Sequence, residues 1–501
     1  MRRGLLVLLT LVLVGWIGWA QQYGGTVVIA WGTDAVRLDP ADMTDNPSET
    51  VLRHIMDGLV EFDEQLNKNP CLAKSWEISE DGTVYTFHLR EGIKFHDGTP
   101  FNAEAVVFNF NRIITQNLRR TALFQPYIES VTATDEYTVV FKLKAPFGAF
   151  LNHLAHGAAL IQSPTAIKTW GAEVGKHPVG TGPFKFVEWV PGDHITLEAN
   201  PDYWRGRPYL DRIVFQVVPE ASTRVFRLES GEAQVATRIP PTEVPRLQAN
   251  PNIEVMVRQT LRVIYVGMNC QKPPFTDVRV RQAVNYAIDK ELLCRSILGG
   301  YADPADSPLA PLTWGYYSTG GYPYDPEKAK ALLAEAGYPN GFETVLYTPK
   351  GRYLMDYETA LAVQAMLAEV GIRARVQVME WAAYLSMLER REQEMFLLGW
   401  APSTADGDWV LRPLFHSANW SPRDNNALYA NPEVDALIEQ GMRAMGAARY
   451  ELYKKAQEII VRDAPWAFLC VLKDINAHSK KLHNVQYLPI EILLVKNAWL
   501  G

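Results

Sequence analysis

The sequence predicts an α/β protein of two or three domains, on three observations. At 501 residues the chain exceeds the size at which a single hydrophobic core keeps growing. From about Asn269 onward, segments with helical periodicity alternate with short apolar runs, a strand–helix–strand order with its own core. Before that point turns and alternating runs dominate, most densely in Ala73–Phe101, AKSWEISEDGTVYTFHLREGIKFHDGTPF. There Asp81-Gly82 and Asp97-Gly98 bracket a run with Tyr85, Phe87 and Leu89 on one face and Val84, Thr86, His88 and Arg90 on the other. Asp-Gly between alternating segments signals a tight turn, because glycine tolerates the positive φ that such turns require.

Composition narrows the partners. Hydrophobic residues make up 48% and charged residues 21%, a globular balance, and the net charge is −7. Nucleic acid or an anionic membrane needs a basic footprint, so neither is expected as the main partner. Arg2 and Arg3 precede an apolar run, Leu5 to Ile17, too short to span a bilayer, and Gly18-Trp19-Ala20 offers small residues for cleavage. Residues 1–20 are therefore expected to be a signal peptide cleaved near Ala20, leaving a free periplasmic protein; no cysteine follows the apolar run to accept a lipid. Cys71, Cys270, Cys294 and Cys470 include no CxxC pair and allow three disulfide connectivities, or none.

Taken in order, Thr26 to Trp31 reads as a buried strand ending in Gly32-Thr33-Asp34. Ser48 is the expected cap of a helix from Glu49 to Leu59. After the hairpin region, Asn102 caps Ala103 to Ile114, and Thr138 to Leu143 is a strand. Leu151 to Ile161 is small and apolar, a loop or helix packed inside. Val179–Pro183 opens two strands, Phe184 to Val190 and His194 to Ala199, with a third at Ile213 to Val218. Ser222 to Ser230 is a helix stopped by Gly231. Val263 to Met268 is a further strand, and helices follow at Val278–Ala287 and Lys290–Leu298. Asp325-Pro326 opens a helix that stops at Gly337. Helix Tyr357–Val370, strand Ile372–Val378, helix Ala382–Arg390 and strand Glu394–Leu398 come next, then helices Pro432–Met442 and Arg449–Arg462. The tail, Asn476 to Leu494, turns extended.

These residues resemble the extracytoplasmic solute-binding proteins of the peptide/nickel family, the dipeptide- and oligopeptide-binding receptors of ABC transporters. Ala73–Phe101 is close to that family's fingerprint. Further matches are GTGPFKF (Gly180–Phe186), NPDYW (Asn200–Trp204), RLESGE (Arg227–Glu232), FTDVRVRQAVNYAIDK (Phe275–Lys290), YDPEKAKALLAEAGYPNGF (Tyr324–Phe342) and NPEVDALI (Asn431–Ile438). The resemblance runs in consistent order over essentially the whole mature chain. It implies a type II-like periplasmic binding fold (cluster C), with two hinged lobes and three domains. Domain I would comprise 21–46, 177–266 and 477–501, domain II the insertion 47–176, and domain III 267–476. The hinges would lie near Val266–Asn269 and near Asn476. It also implies a small peptide or glutathione-like ligand, partnership with the transmembrane subunits of an ABC permease, a monomer, and no cofactor.

A receptor for short peptides must neutralise a charged ligand. In the family an Asp shortly after a Gly-Trp pair takes the ligand's amino group. Here Gly399-Trp400 is followed by Ser403 at the matching position, so Asp406 or Asp408 is the alternative anchor, and solvated loop carboxylates the plainer one. Ser403-Thr404 through Asp408-Trp409 and Arg412 resembles the glutathione-binding branch. Arg412, and Arg352 next to Tyr353, are candidates for a ligand carboxylate, since a guanidinium fork suits it. Trp31, Gly32 and Thr33 end a strand at the cleft, where open sheets bind ligands. Other cargo on the same fold, an oligosaccharide, an opine or a nickel chelate, stays open because Ser403 replaces the Asp. A secreted hydrolase has little support: GxSxG, HExxH, P-loop and CxxC are absent, and His153 with His156 lacks a third ligand.

Overall fold

The computed structural model describes residues 21–420 and 424–501, so the expected signal peptide lies outside the described residues. The largest sheet has eleven strands among them. From one edge it runs Ile372–Val378, Phe342–Thr348, Met395–Trp400, Ile253–Met268, Trp466–Ser479, Val235–Ala236, Thr26–Trp31, Arg212–Val217, His194–Ala199 and Phe184–Val190, with Ala302–Pro304 paired to Trp466–Ser479 off this path. Thr26–Trp31 is parallel to both its neighbours, whereas the two long strands at the centre pair antiparallel. Helices such as Val278–Tyr286, Asp356–Glu369 and Gly446–Asp463 cover the second lobe.

Among the described residues, only the two long strands carry the ladder from one lobe to the other. Their pairing is interrupted between Gln259 and Val263, opposite Lys473 and Val471. In the gap Thr260 Oγ1 donates to the Leu472 carbonyl (2.8 Å) and accepts from the Arg262 N–H (3.0 Å), while the Leu261 N–H turns to the Pro489 carbonyl (3.1 Å). The crossings expected near Val266–Asn269 and Asn476 instead fall at or beside regular pairing: Gly267 faces Trp466 and Asn476 faces Met256. A ladder bends where its hydrogen bonds are interrupted, and this one is interrupted at 259–263 and shifts register again between Ile264 and Tyr265.

The Ala73–Phe101 stretch forms as expected. Ala73–Ile78 and Val84–Leu89 pair antiparallel across Asp81-Gly82, Gly82 holding φ 68°. Tyr85, Phe87 and Leu89 are buried. They join Thr138–Leu143 and Ile128–Asp135 in a four-stranded sheet, whose core includes Phe110, Phe141 and Phe150. Asn102 caps Ala103–Thr115 as expected, its side chain accepting from the Ala105 N–H (3.1 Å).

Two local readings need correction. The first helix is Asn46–Ile55 and its cap is Asp45, which accepts from the Ser48 N–H (2.8 Å). Ser48 is buried, with its Oγ donating to Asp45 Oδ2 and accepting from the N–H groups of Val36 and Arg37. Leu151–Ile161, expected as a loop or helix packed inside, is a short buried helix, Phe150–Ala155, followed by a single tight turn. Trp466–Ser479 is one long strand, begun ten residues before the expected extended tail; it is almost wholly buried and so lacks the alternation that marks a strand.

Candidate functional site

The first candidate cluster lies beside the interrupted ladder. A cavity of about 320 Å³ is lined by Arg238 and its neighbours from the first lobe, by Gly351–Met355 from the second, and by Arg262, Asp474 and Glu491. Arg262 Nε and Nη2 donate to the two oxygens of Glu491 (2.6 and 2.9 Å), a bidentate pair. Burial alone would raise the Glu491 pKa, but the adjacent Arg262 holds it below the usual carboxylate range. Asp474 is raised, first by burial and then by the charge of Glu491; it accepts from the Tyr487 hydroxyl (2.9 Å).

Charge in this cavity does not balance. Lys473 is already paired with Asp303 (2.6 Å). That leaves the guanidinium groups of Arg238, Arg262 and Arg352 against two carboxylates, Asp474 and Glu491, an excess of one positive charge. Neither Arg238 nor Arg352 has a carboxylate within salt-bridge distance among the described residues. The Arg352 guanidinium lies over the rings of Tyr353 (5.0 Å) and Trp381 (5.1 Å), an arrangement that orients it while leaving its N–H groups open. Tyr353 is buried and donates to the Gly399 carbonyl (3.2 Å). Arg238 holds φ 52°, its N–H bound to Asn476 Oδ1 and its carbonyl to Arg224.

A smaller pocket of about 60 Å³ adjoins this cavity and shares Arg238, Asp474 and Glu491 with it. Trp31, Gly32 and Thr33 line it, as expected for the carboxyl end of their strand. Trp31 packs on Phe215 (4.9 Å), and its buried Nε1–H has no partner. A buried donor left unpaired costs about 1–3 kcal/mol, so a ligand acceptor here would be favourable. Trp31, Gly32, Thr33, Arg352 and Tyr353 are thus brought together.

The loop after Trp400 goes elsewhere. Trp400 Nε1 donates to the Trp409 carbonyl (2.8 Å), closing the loop on itself. Its far side packs on residues 123–157. Asn152 Nδ2 donates to the Thr404 carbonyl (3.0 Å), and His156 Nε2 lies 3.0 Å from Ser403 Oγ. Because His156 Nδ1 accepts from the Ala158 N–H, its Nε2 carries the proton and donates to Ser403. Burial depresses the His156 pKa to about 3, so the ring is neutral at physiological pH.

The expectation that Asp406 or Asp408 anchors a ligand ammonium does not fit this geometry. Asp406 is buried and receives both Arg449 Nη1 (2.8 Å) and Nη2 (2.6 Å). Asp408, also buried, accepts from the Tyr453 hydroxyl (3.1 Å) and faces Arg412 Nε (3.4 Å). Both charges are matched inside the protein. Arg412 sits between the two regions, its guanidinium over Tyr127 and Trp409 (5.7 Å each) and its buried Nη2 without a partner.

Sequence reading missed Arg238, Arg262, Asp474 and Glu491. Arg238 follows the strand Val235–Ala236, parallel to Thr26–Trp31, so the rule that selected Trp31 would have reached it. Arg262 is one of three charged residues in the strand Ile253–Met268, with Glu254 and Arg258, and no local pattern singles it out.

Residues 68–422 match the family described as bacterial extracellular solute-binding proteins, family 5. The glutathione-binding protein GsiB of Pectobacterium atrosepticum is 39% identical over 494 residues, covering 96% of this chain and 94% of that protein. GsiB of Escherichia coli (strain K12) is 40% identical over 477 residues, 92% of each. Among solved structures, the Helicobacter pylori periplasmic binding protein DppA in complex with the peptide STSA is similar at a TM-score of 0.81 and 33% identity, over 96% of this chain and 98% of that one.

Proposed function

The chain belongs to the bacterial extracellular solute-binding proteins of family 5, and from that premise we propose that it captures a short peptide of the glutathione type between its lobes and delivers it to the transmembrane subunits of an ABC permease. The observation that carries this reading is the surplus guanidinium charge of the interlobe cavity. Glutathione has one ammonium and two carboxylates. Its net negative charge complements Arg238, Arg262 and Arg352 set against Asp474 and Glu491. The cavity volume of about 320 Å³ lies within the range of small-molecule sites, roughly 300–1,000 Å³.

In this reading the ligand's carboxylates meet Arg352 and Arg238, a backbone acceptor takes the Trp31 Nε1–H, and the ammonium lies toward Asp474. Ligand held by both lobes favours the closed form by differential affinity, and the paired lobes form the surface the permease reads. The protein is a non-catalytic monomer, exported by a cleaved leader and working in the periplasm. Micromolar affinity corresponds to about −8 kcal/mol.

Calorimetry on the purified chain tests this with glutathione, di- to pentapeptides and a neutral oligosaccharide. The expected result is saturable binding of glutathione or another short acidic peptide and none of the oligosaccharide. No peptide binding at millimolar ligand overturns the proposal.

A further inference from the structure

Cys294 and Cys470 lie outside the site described above, yet the topology brings them together. Cys294 belongs to the helical turn Leu293–Ile297. The Gly300 N–H donates back to the Cys294 carbonyl (2.9 Å), and the chain then enters the strand Ala302–Pro304. That strand runs antiparallel to Trp466–Ser479 with Pro304 opposite Cys470, and the Lys473 N–H donates to the Tyr301 carbonyl (3.0 Å). Both thiols are buried in one apolar cluster with Leu293, Leu298 and Leu469. Cys294 is the neighbour that, together with burial, pushes the Cys470 thiol well above its ordinary pKa. Lys290, one helical turn before Cys294, is buried with its Nζ donating to the Ala305 carbonyl (3.1 Å).

Both cysteines are free thiols in this structure. A chain of an extracellular family matures where disulfides form and persist. We propose that Cys294 and Cys470 become joined by a disulfide in the exported protein, tying a helix of the second lobe to the long strand that crosses between lobes. The oxidant is a dithiol–disulfide exchange protein of the cell envelope. The Cys294 thiolate attacks one sulfur of the oxidant's disulfide and expels the other as thiolate. The Cys470 thiolate then attacks the Cys294 sulfur of the mixed disulfide and expels the second oxidant thiolate. Two electrons pass to the oxidant, and the two cysteine protons end on its thiols. Since both sulfurs are buried in the finished core, the exchange takes place before the second lobe closes around them.

Cys71 and Cys270 act as internal controls. Cys71 is buried apart from this pair, and Cys270 hydrogen-bonds through Sγ to the Met268 carbonyl (3.5 Å). The test uses full-length protein secreted into an oxidising compartment, denatured, alkylated without reduction, digested and mapped by mass spectrometry. The expected result is a cross-linked peptide containing Cys294 and Cys470 that is lost on reduction, with Cys71 and Cys270 alkylated. Alkylation of all four cysteines, or Cys294 bridged to another residue, overturns the proposal. In a second measurement, reductant lowers the melting temperature of the native chain. It leaves a Cys294→Ala, Cys470→Ala variant unchanged. An equal shift in both chains counts against the bridge, and the peptide map decides the question even if the variant does not fold.

Discussion

Replacing Arg449 by methionine preserves most of the side-chain volume but removes the partner of a buried carboxylate. Arg449 is 1% and Asp406 1% exposed, and the bidentate contact at 2.8 and 2.6 Å is the only ion pair Asp406 makes among the described residues. Without it, Asp406 keeps only the Asp408 N–H (2.9 Å). Breaking one side of a buried pair costs about 3–5 kcal/mol, because a charge is left uncompensated. For a cooperative unit of roughly 200 residues, that lowers the melting temperature on the order of 10 °C. Converting both residues, Asp406→Leu with Arg449→Met, leaves no orphan charge and is expected to recover most of the loss. Circular-dichroism melts of the two single variants and the double variant, together with glutathione calorimetry, read out both effects. The reasoning is refuted if Asp406→Leu and Arg449→Met each melt with the native chain while glutathione affinity collapses. Asp406 would then be the ligand anchor, and its partner incidental.

Three further outcomes follow from the same structure. Arg352→Ala and Arg238→Ala each remove a charge-assisted contact worth about 1.5–3 kcal/mol, so glutathione affinity should fall roughly 10- to 100-fold with little change in melting temperature; unchanged affinity in both would place the carboxylates elsewhere. Gly148→Ala puts a Cβ 2.6 Å from Arg449 Cδ and 2.7 Å from the Ala444 carbonyl, across the contact between residues 123–157 and the second lobe. It should weaken ligand binding and enlarge the liganded radius of gyration in solution scattering, and a variant indistinguishable on both counts would dismiss that contact. His54 donates through Nδ1 to the Thr50 carbonyl and accepts at Nε2 from the Val495 N–H, which fits only the neutral ring. Burial lowers its pKa from 6.5 to about 4. The unfolded chain therefore binds a proton that the folded one refuses, and about 3 kcal/mol of stability is lost progressively as pH falls from about 6.5 to 4. A flat melting temperature across that window would exclude this account of His54.

The sequence made most elements legible because their signals are local. Phe184–Val190, His194–Ala199 and Ile372–Val378 were read with the bounds they have, Asn102 caps the helix it was expected to cap, and Asp325-Pro326 opens its helix as expected. Trp466–Ser479 escaped because a strand buried on both faces carries no period of two. The site was legible by half. Strand ends lining a cleft follow from topology, which reached Trp31, and resemblance reached Arg352. The role of Asp406 depended on Arg449, 43 positions later, and no local pattern reports a partner at that separation. Glu491 and Arg262 are 229 positions apart and became a pair only through folding.

The contacts that join residues 123–157 to the second lobe, Asn152 to Thr404, His156 to Ser403 and Gly148 to Met442, lie away from the cavity and are blind to what fills it. They contribute the same closing free energy whether the receptor is loaded or empty. Strengthening them raises apparent affinity for every cargo at once, but it also increases the share of empty receptors that have shut. Such decoys occupy the permease without delivering anything, in competition with loaded molecules. Transport flux would therefore pass through an optimum as this clasp is tightened, and the hydrogen bonds found there are few and uncharged.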